Sequence, residues 1–206
     1  MAPKNKFTRE EMVDAALSVV RTQGMEALTA KALAKALGIS TQPVFTCFGS
    51  MDVLKQDVHA AAERIYDEYA EQGLRQKISF LGFGMQYIRF AREEPELYRL
   101  LFFTKADESG GALAAMKHSR EKLRPSLEKT YHIGATEADR YFRDLWLAVH
   151  SIAVLIVTGV CPYSDEEIAR ILTGFSVSIC KAIKEIPGFT DDTFDRDAVF
   201  RALTEE

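Results

Sequence analysis

Residues 29–48 read Thr29-Ala-Lys31-Ala-Leu33-Ala-Lys-Ala-Leu37-Gly38-Ile-Ser40-Thr-Gln42-Pro43-Val-Phe-Thr-Cys-Phe48, and they decide the fold. Thr29 is placed to cap a helix, since its hydroxyl can accept one of the unpaired amide hydrogens of the first turn. Ala30 to Leu37 is strong helix-forming sequence with Leu33 and Leu37 on one face. Gly38 then ends it, where a left-handed backbone costs glycine nothing. Ser40 is expected to cap a second helix, with Pro43 in its first turn, where a missing N–H does little harm. Ala34 is small where two steeply crossed helices come closest, and Ile39, Val44 and Phe48 can close the core between them. The pattern predicts a helix-turn-helix whose second helix can enter a DNA major groove. A helical hairpin with no nucleic-acid role is the plain alternative.

The flanks extend this unit. Thr8 and Glu11 form a capping-box pair, and Val13, Ala16, Leu17 and Val20 repeat at helical spacing up to Gly24. After Phe48, Gly49-Ser50-Met51-Asp52 makes a turn and cap. A long helix then runs to about Gln72, with Leu54, Val58, Ala61, Ile65 and Tyr69 inward and Gly73 ending it.

These residues carry a resemblance. The order Leu28-Thr29, Leu33-Ala-Lys-Ala-Leu-Gly-Ile-Ser40, Val44-Phe45, Phe48-Gly-Ser50 and Leu54 is similar to the DNA-binding domain of the tetracycline-repressor (TetR) family, over about residues 7 to 60. The resemblance implies an all-α homodimer with a three-helix head for a palindromic double-stranded DNA operator and a larger C-terminal ligand-binding and dimerisation domain. It divides the chain at residues 1–50 and 51–206, with the helix at 51–72 linking the two. It assigns DNA contact to Lys4, Lys6, Thr29, Lys31, Ser40, Thr41, Gln42, Pro43, Thr46, Cys47 and Ser50, with Gln42 as the base reader. This chain departs from the family's usual pattern: Phe45 stands where Tyr is usual, Cys47 where His or Tyr is frequent, and Met51 where Lys is common. Those positions tend to touch phosphate, so three polar or cationic contacts per half-site are expected to be missing.

The charge balance agrees. The 206 residues carry a net charge of −4, so any DNA surface must be local. Residues 1–60 hold seven Lys and Arg against six Asp and Glu, which leaves that head only weakly basic.

The rest of the chain reads as helix. Residues 75–93 are rich in aromatics (Phe80, Phe83, Tyr87, Phe90), and Glu94-Pro95 breaks the pattern, with a short helix expected from Pro95 to Phe103. Asp107 to Gly111 is a loop. Ala112 to Thr130 is helical with Pro125 predicting a kink or break, and His132-Ile-Gly134 is a turn. Thr136 begins a helix to about Val160 with Leu145, Val149, Ile152, Ile156 and Val160 on one face. Its last sixteen residues are nearly all apolar, too few for a span of about twenty. Ser164 and Glu167 repeat the capping box, and Ile168, Ile171, Leu172, Phe175 and Ile179 hold helical spacing up to Pro187. A short helix is expected at 195–203. The two long helices carry more apolar surface than one chain can use, and Gly174, Ser176 and Ser178 let backbones approach. A two-fold dimer is therefore expected through Ile168, Ile171, Leu172, Phe175 and Ile179.

Glu94-Pro-Glu-Leu-Tyr-Arg-Leu-Leu-Phe102, with Trp146 and His150-Ser151, is similar to a TetR subgroup that carries Trp-xxx-His-Gly; Ser151 replaces the glycine. By that resemblance a small apolar or aromatic ligand would sit among Phe83, Tyr87, Phe102, Phe103, Met116, Trp146 and His150. Simple core packing is the other reading of each, and for His150 a core imidazole bonded to a neighbour.

The chain carries no Gly-rich phosphate loop, no GxSxG and no HExxH, and its four histidines lack ligand spacing, so neither an enzyme nor a cofactor is expected. Three scattered cysteines and an N-terminus without an apolar stretch point to a reducing cytoplasm. The expected function is a ligand-responsive repressor, with an interaction protein of weak or lost DNA binding on the same fold as the alternative.

Overall fold

The computed structural model describes residues 7–103 and 111–204. Lys4, Lys6 and most of the loop expected at 107–111 lie outside them. Among the described residues ten α-helices follow one another: α1 Arg9–Gln23, α2 Ala30–Leu37, α3 Gln42–Phe48, α4 Met51–Leu74, α5 Ser79–Glu93, α6 Pro95–Phe102, α7 Ala112–Tyr131, α8 Ala135–Val157, α9 Asp165–Glu185 and α10 Arg196–Thr204. No strand occurs among the described residues. The expected all-α class, with a three-helix N-terminal head and a helical remainder, is the one observed.

Most local stops and starts fall where short-range chemistry puts them. The Thr8 and Ser164 capping boxes both form. Thr29 Oγ1 accepts from the Ala32 N–H at 3.1 Å. Gly38 takes the left-handed conformation (φ 63°, ψ 39°), and the next amide, Ile39 N–H, bonds back to the Ala34 carbonyl at 3.0 Å. One cap moves: Thr41, not Ser40, is the N-cap of α3, and it makes no side-chain cap bond. Its backbone is already helical there (φ −73°, ψ −20°), so the hydroxyl is not set to meet an N3 amide.

The chain divides into two compact units, residues 1–70 with 89–115, and residues 71–88 with 116–206. Compactness thus groups most of α4 and all of α6 with the head, whereas the expected functional division falls at residue 50.

In the first unit α1 buries Met12, Val13, Ala16, Leu17 and Val20, α2 buries Leu33 and Ala34, and α3 buries Val44 and Phe48. The inner stripe of α4 is Leu54, Val58, Ala61, Ala62, Tyr66 and Ala70. Ala61 is inward as expected; beyond it Tyr66 and Ala70 are the buried residues, and the expected Ile65 and Tyr69 are half-buried. Tyr66 meets Phe90 and Phe102 edge-on at 5.5 and 5.4 Å between centroids. The Arg21 guanidinium grips both Glu94 oxygens at 2.9 and 2.7 Å, which ties the end of α1 to the start of α6.

In the second unit Phe80, Phe83, Tyr87, Tyr141, Phe142, Trp146 and Val149 form the core, joined by Leu172 and Ile183 of α9. Three boundaries differ from the sequence reading. The helix expected from residue 75 starts at Ser79, and α8 ends at Val157, leaving Val160 exposed. Pro125 stands inside α7 without ending it. Gly73 also lies inside α4, where its role is close approach: a Cβ there would come within 2.6 Å of the Gly82 backbone.

Gly73→Ala sets two effects against each other. Alanine gains about 1 kcal/mol of helix propensity. Overpacking against backbone that cannot swing away costs roughly 1–3 kcal/mol. The net effect is expected to be destabilising, read as a lower midpoint in thermal unfolding; an unchanged or raised midpoint would show that α4 and α5 separate freely there.

Candidate nucleic-acid interface and aromatic cluster

The head presents a small, mostly uncharged surface. Thr29, Lys31, Ser40, Thr41, Gln42, Thr46 and Ser50 are exposed, while Pro43 and Cys47 are half-buried. Three hydroxyls are partly committed to backbone. Thr29 and Ser50 accept from the Ala32 and Val53 amides, and Thr46 donates to the Gln42 carbonyl at 3.0 Å. A hydroxyl that accepts at a cap still keeps its own proton for another acceptor.

Two of the head's arginines are held by protein. Arg9 Nε donates to Asp57 Oδ2 at 2.7 Å, Arg9 Nη1 donates to the Cys47 carbonyl at 3.0 Å, and the guanidinium carbon lies 4.6 Å from the Phe48 ring centroid. One side chain thereby pins the start of α1 to the end of α3 and to α4. The hydrogen bond to Asp57 also pushes the Arg9 pKa further up, so its charge is constant. Arg21 is bonded to Glu94. Sequence reasoning counted both as local positive charge, and neither partner is close enough in sequence to have signalled otherwise.

In the second unit four of the expected ligand residues come together. Phe83 and Tyr87 lie 6.1 Å apart, Tyr87 meets Trp146 edge-on at 6.4 Å, and Trp146 stacks on His150 at 4.7 Å with planes 8° apart. The Tyr87 hydroxyl and His150 Nδ1 are 2.9 Å apart, in a hydrogen bond whose direction the imidazole tautomer sets. His150 is half-buried, and this contact is the bond to a neighbour that residue type alone suggested. Burial lowers the His150 pKa below its usual 6.5. Trp146 is only 2% exposed, yet its indole Nε1–H has no acceptor among the described residues. Phe102 and Phe103 belong to the first unit, and Met116 is half-buried in the second.

The expected dimer stripe is only partly available. Ile168 and Leu172 are core residues of the protomer, 0% and 1% exposed, and Leu172 packs beside Gly84 of α5. Ile171 and Ile179 are half-buried, and Phe175 is 49% exposed. Ser176, expected to be merely small, sits 2.6 Å from the Tyr141 hydroxyl, which also donates to Tyr131 at 2.8 Å. Tyr131 and Tyr141 were not singled out by sequence reasoning. Among the described residues no three His, Cys, Asp or Glu side chains gather as metal ligands would, and no helix is long and apolar enough to cross a membrane.

Residues 12–58 match the model of the family described as bacterial regulatory proteins, tetR family. The head is a TetR-type helix-turn-helix domain. That match supports a DNA-binding transcriptional regulator. Among solved structures the chain is similar to the TetR family repressor AlkX from Dietzia sp., implicated in biodegradation of n-alkanes, at 20% identity and a TM-score of 0.44 over 88% of this chain and 98% of that one. No curated protein matches the chain.

His150 makes a pH prediction. Its folded pKa lies below the unfolded value, so the unfolded state binds more protons and stability rises with pH. The contribution is complete above about pH 6.5 and is lost as pH falls through the folded pKa. His150→Gln is expected to flatten this part of the stability profile, measured by denaturant unfolding across that window. An equally steep profile in the variant would assign the effect to other groups.

Proposed function

We propose that the chain is a ligand-responsive transcriptional repressor, a homodimer that holds a palindromic operator through its two heads and releases it when a small apolar or aromatic molecule binds. The TetR-type head over residues 12–58 carries the reading. In it, residues 1–50 serve DNA and residues 51–206 serve ligand binding and dimerisation. Gln42 reads adenine, with Thr41 and Thr46 assisting, while Lys4, Lys6, Lys31, Ser40 and Ser50 position the backbone.

The ligand half of the proposal has support of its own. A buried N–H without an acceptor costs about 1–3 kcal/mol. An acceptor on a molecule bound beside Trp146 would recover that cost, and Phe83, Tyr87 and His150 would supply the apolar wall. Induction would follow by population shift: α4 is one helix whose residues divide between the two units. A ligand that favours one arrangement would change the fit of the heads to successive major grooves, about 34–36 Å apart.

The dimer is assigned to the exposed parts of α8 and α9, where Leu147, Phe175 and Val177 are 52%, 49% and 51% exposed. Phe175→Asp is expected to give monomer or aggregate in light scattering. A wild-type protein that stays monomeric at micromolar concentration would remove the dimer from the proposal.

One observation favours the alternative of an interaction protein with little DNA binding. With Arg9 and Arg21 engaged, only Lys31, Lys35 and Lys55 remain as cations without an ion pair among the described residues up to 60. A shift assay on the DNA upstream of its own gene separates the two. Modest affinity with a shallow salt slope is expected, and Met51→Lys should steepen that slope by about two per dimer, at roughly 0.9 per neutralised phosphate. Failure of the wild type to bind any genomic DNA at low salt would leave the interaction protein. An unchanged slope in the variant would show that Met51 does not face phosphate.

A further inference from the structure

The exposed face of α3 is peculiar in its chemistry. Gln42, Phe45 and Thr46 lie at i, i+3 and i+4 and share it, while Val44 and Phe48 are buried on the other side. Phe45 is 47% exposed, a large apolar ring at the centre of the surface offered to DNA. Thr46 spends its hydroxyl proton on the Gln42 carbonyl, 3.0 Å away, which leaves its methyl group as the outward character of the side chain. Gln42 is exposed, and no hydrogen bond holds its amide among the described residues. The face therefore offers one amide between apolar groups and no cation.

We propose that Phe45 is a specificity-determining residue that reads the 5-methyl group of thymine in the operator major groove. Phosphate is excluded as its target: the ring has no donor, and laying it on a charged oxygen would desolvate the phosphate without return. Among the edges that base pairs present in the major groove, the thymine methyl is the one apolar group. Gln42 beside it suits adenine, whose N6 and N7 match an amide in a bidentate pair. The two side chains thus ask for neighbouring A·T pairs in each half-site, with the thymine methyl against the Phe45 ring. This inference rests on the DNA-binding reading above and names what that surface selects.

The experiment begins with the full chain and genomic fragments, from which a bound site is selected and footprinted. Each thymine of the half-sites is then replaced in turn by deoxyuridine, which removes only the methyl group. Burial of one methyl-sized group predicts a loss of about four-fold per half-site at one thymine position. Phe45→Ala, at an exposed position and checked for folding by circular dichroism, is expected to bind the thymine and deoxyuridine duplexes equally there. Phe45→Leu should retain part of the discrimination. Tolerance of deoxyuridine at every position by the wild type would overturn the proposal, as would full discrimination in Phe45→Ala, which would move the reading to Thr46 or to DNA shape. Unchanged DNA affinity on Phe45→Ala would hand the ring to a protein partner. If the wild type selects no DNA at all, the DNA-binding reading fails first, and this failure is visible before any modified duplex is made.

Discussion

A recognition element made of an eight-residue and a seven-residue helix cannot hold its own shape. In water isolated helices below about 12–15 residues are marginal, because the first turn fixes several residues for one hydrogen bond. The geometry of α3 is therefore borrowed from what it buries. Val44 and Phe48 face inward with Leu33 and Ala34 of α2, onto the Val13, Ala16, Leu17 and Val20 stripe of α1. Each large side chain in that set contributes about 1.5–3 kcal/mol when buried. Arg9 closes the arrangement at its open end. It bonds the Cys47 carbonyl, one of the last carbonyls of α3, which has no partner within a short helix. It also bonds Asp57 and lies over the Phe48 ring.

That economy has a consequence for recognition. A cation spent on the carbonyl at one end of α3 is not available to phosphate. Arg21 is likewise spent on Glu94, joining α1 to α6 by two short bonds. Among the described residues expected to contact DNA, and on the α3 face, what remains is Lys31, several hydroxyls, one amide and one exposed ring. Such a surface discriminates by shape, apolar fit and single hydrogen bonds more than by attraction to the backbone. Counterion release scales with phosphates neutralised, so on the proposed function a modest affinity with little sensitivity to salt is expected.

The parts of the fold that were legible in the sequence are those whose partners lie within four residues. The Thr8 and Ser164 capping boxes, the Thr29 cap and the left-handed Gly38 work through local bonds, and the Pro95 start of α6 through proline's fixed backbone angle. Where local choices were degenerate, reading failed by one position: Ser40 and Thr41 carry the same chemistry, and only the backbone angle at 41 decides between them. Long-range pairing was not legible. Nothing near Arg9 announces Asp57, and nothing near Ser176 announces Tyr141. Gly73 looked like a helix stop because a glycine at a crossing and a glycine at a cap are the same letter; only Gly82 on the next helix tells them apart. Ile168 and Leu172 follow the same rule. Helical spacing put them on an apolar face, but whether that face meets its own chain or another is a tertiary fact.

The aromatic cluster of the second unit is informative because part of its polarity is unmet. A core of Phe83, Tyr87, Phe142 and Trp146 packs with rings 6.1 to 6.4 Å apart. Phenylalanine at 146 would remove the unmet indole N–H, with its cost of about 1–3 kcal/mol, but would leave a cavity where the larger ring packs. His150 is similarly costly, since burial disfavours its charged form. Two polar rings lie side by side, one with a buried donor and the other with one nitrogen given to Tyr87; on the proposed function they would form the recognition wall. Sites built for binding depart from the rule that each local choice should favour the fold. On the proposed function, that departure at Trp146 and His150 is where the cost of responding to a ligand is carried.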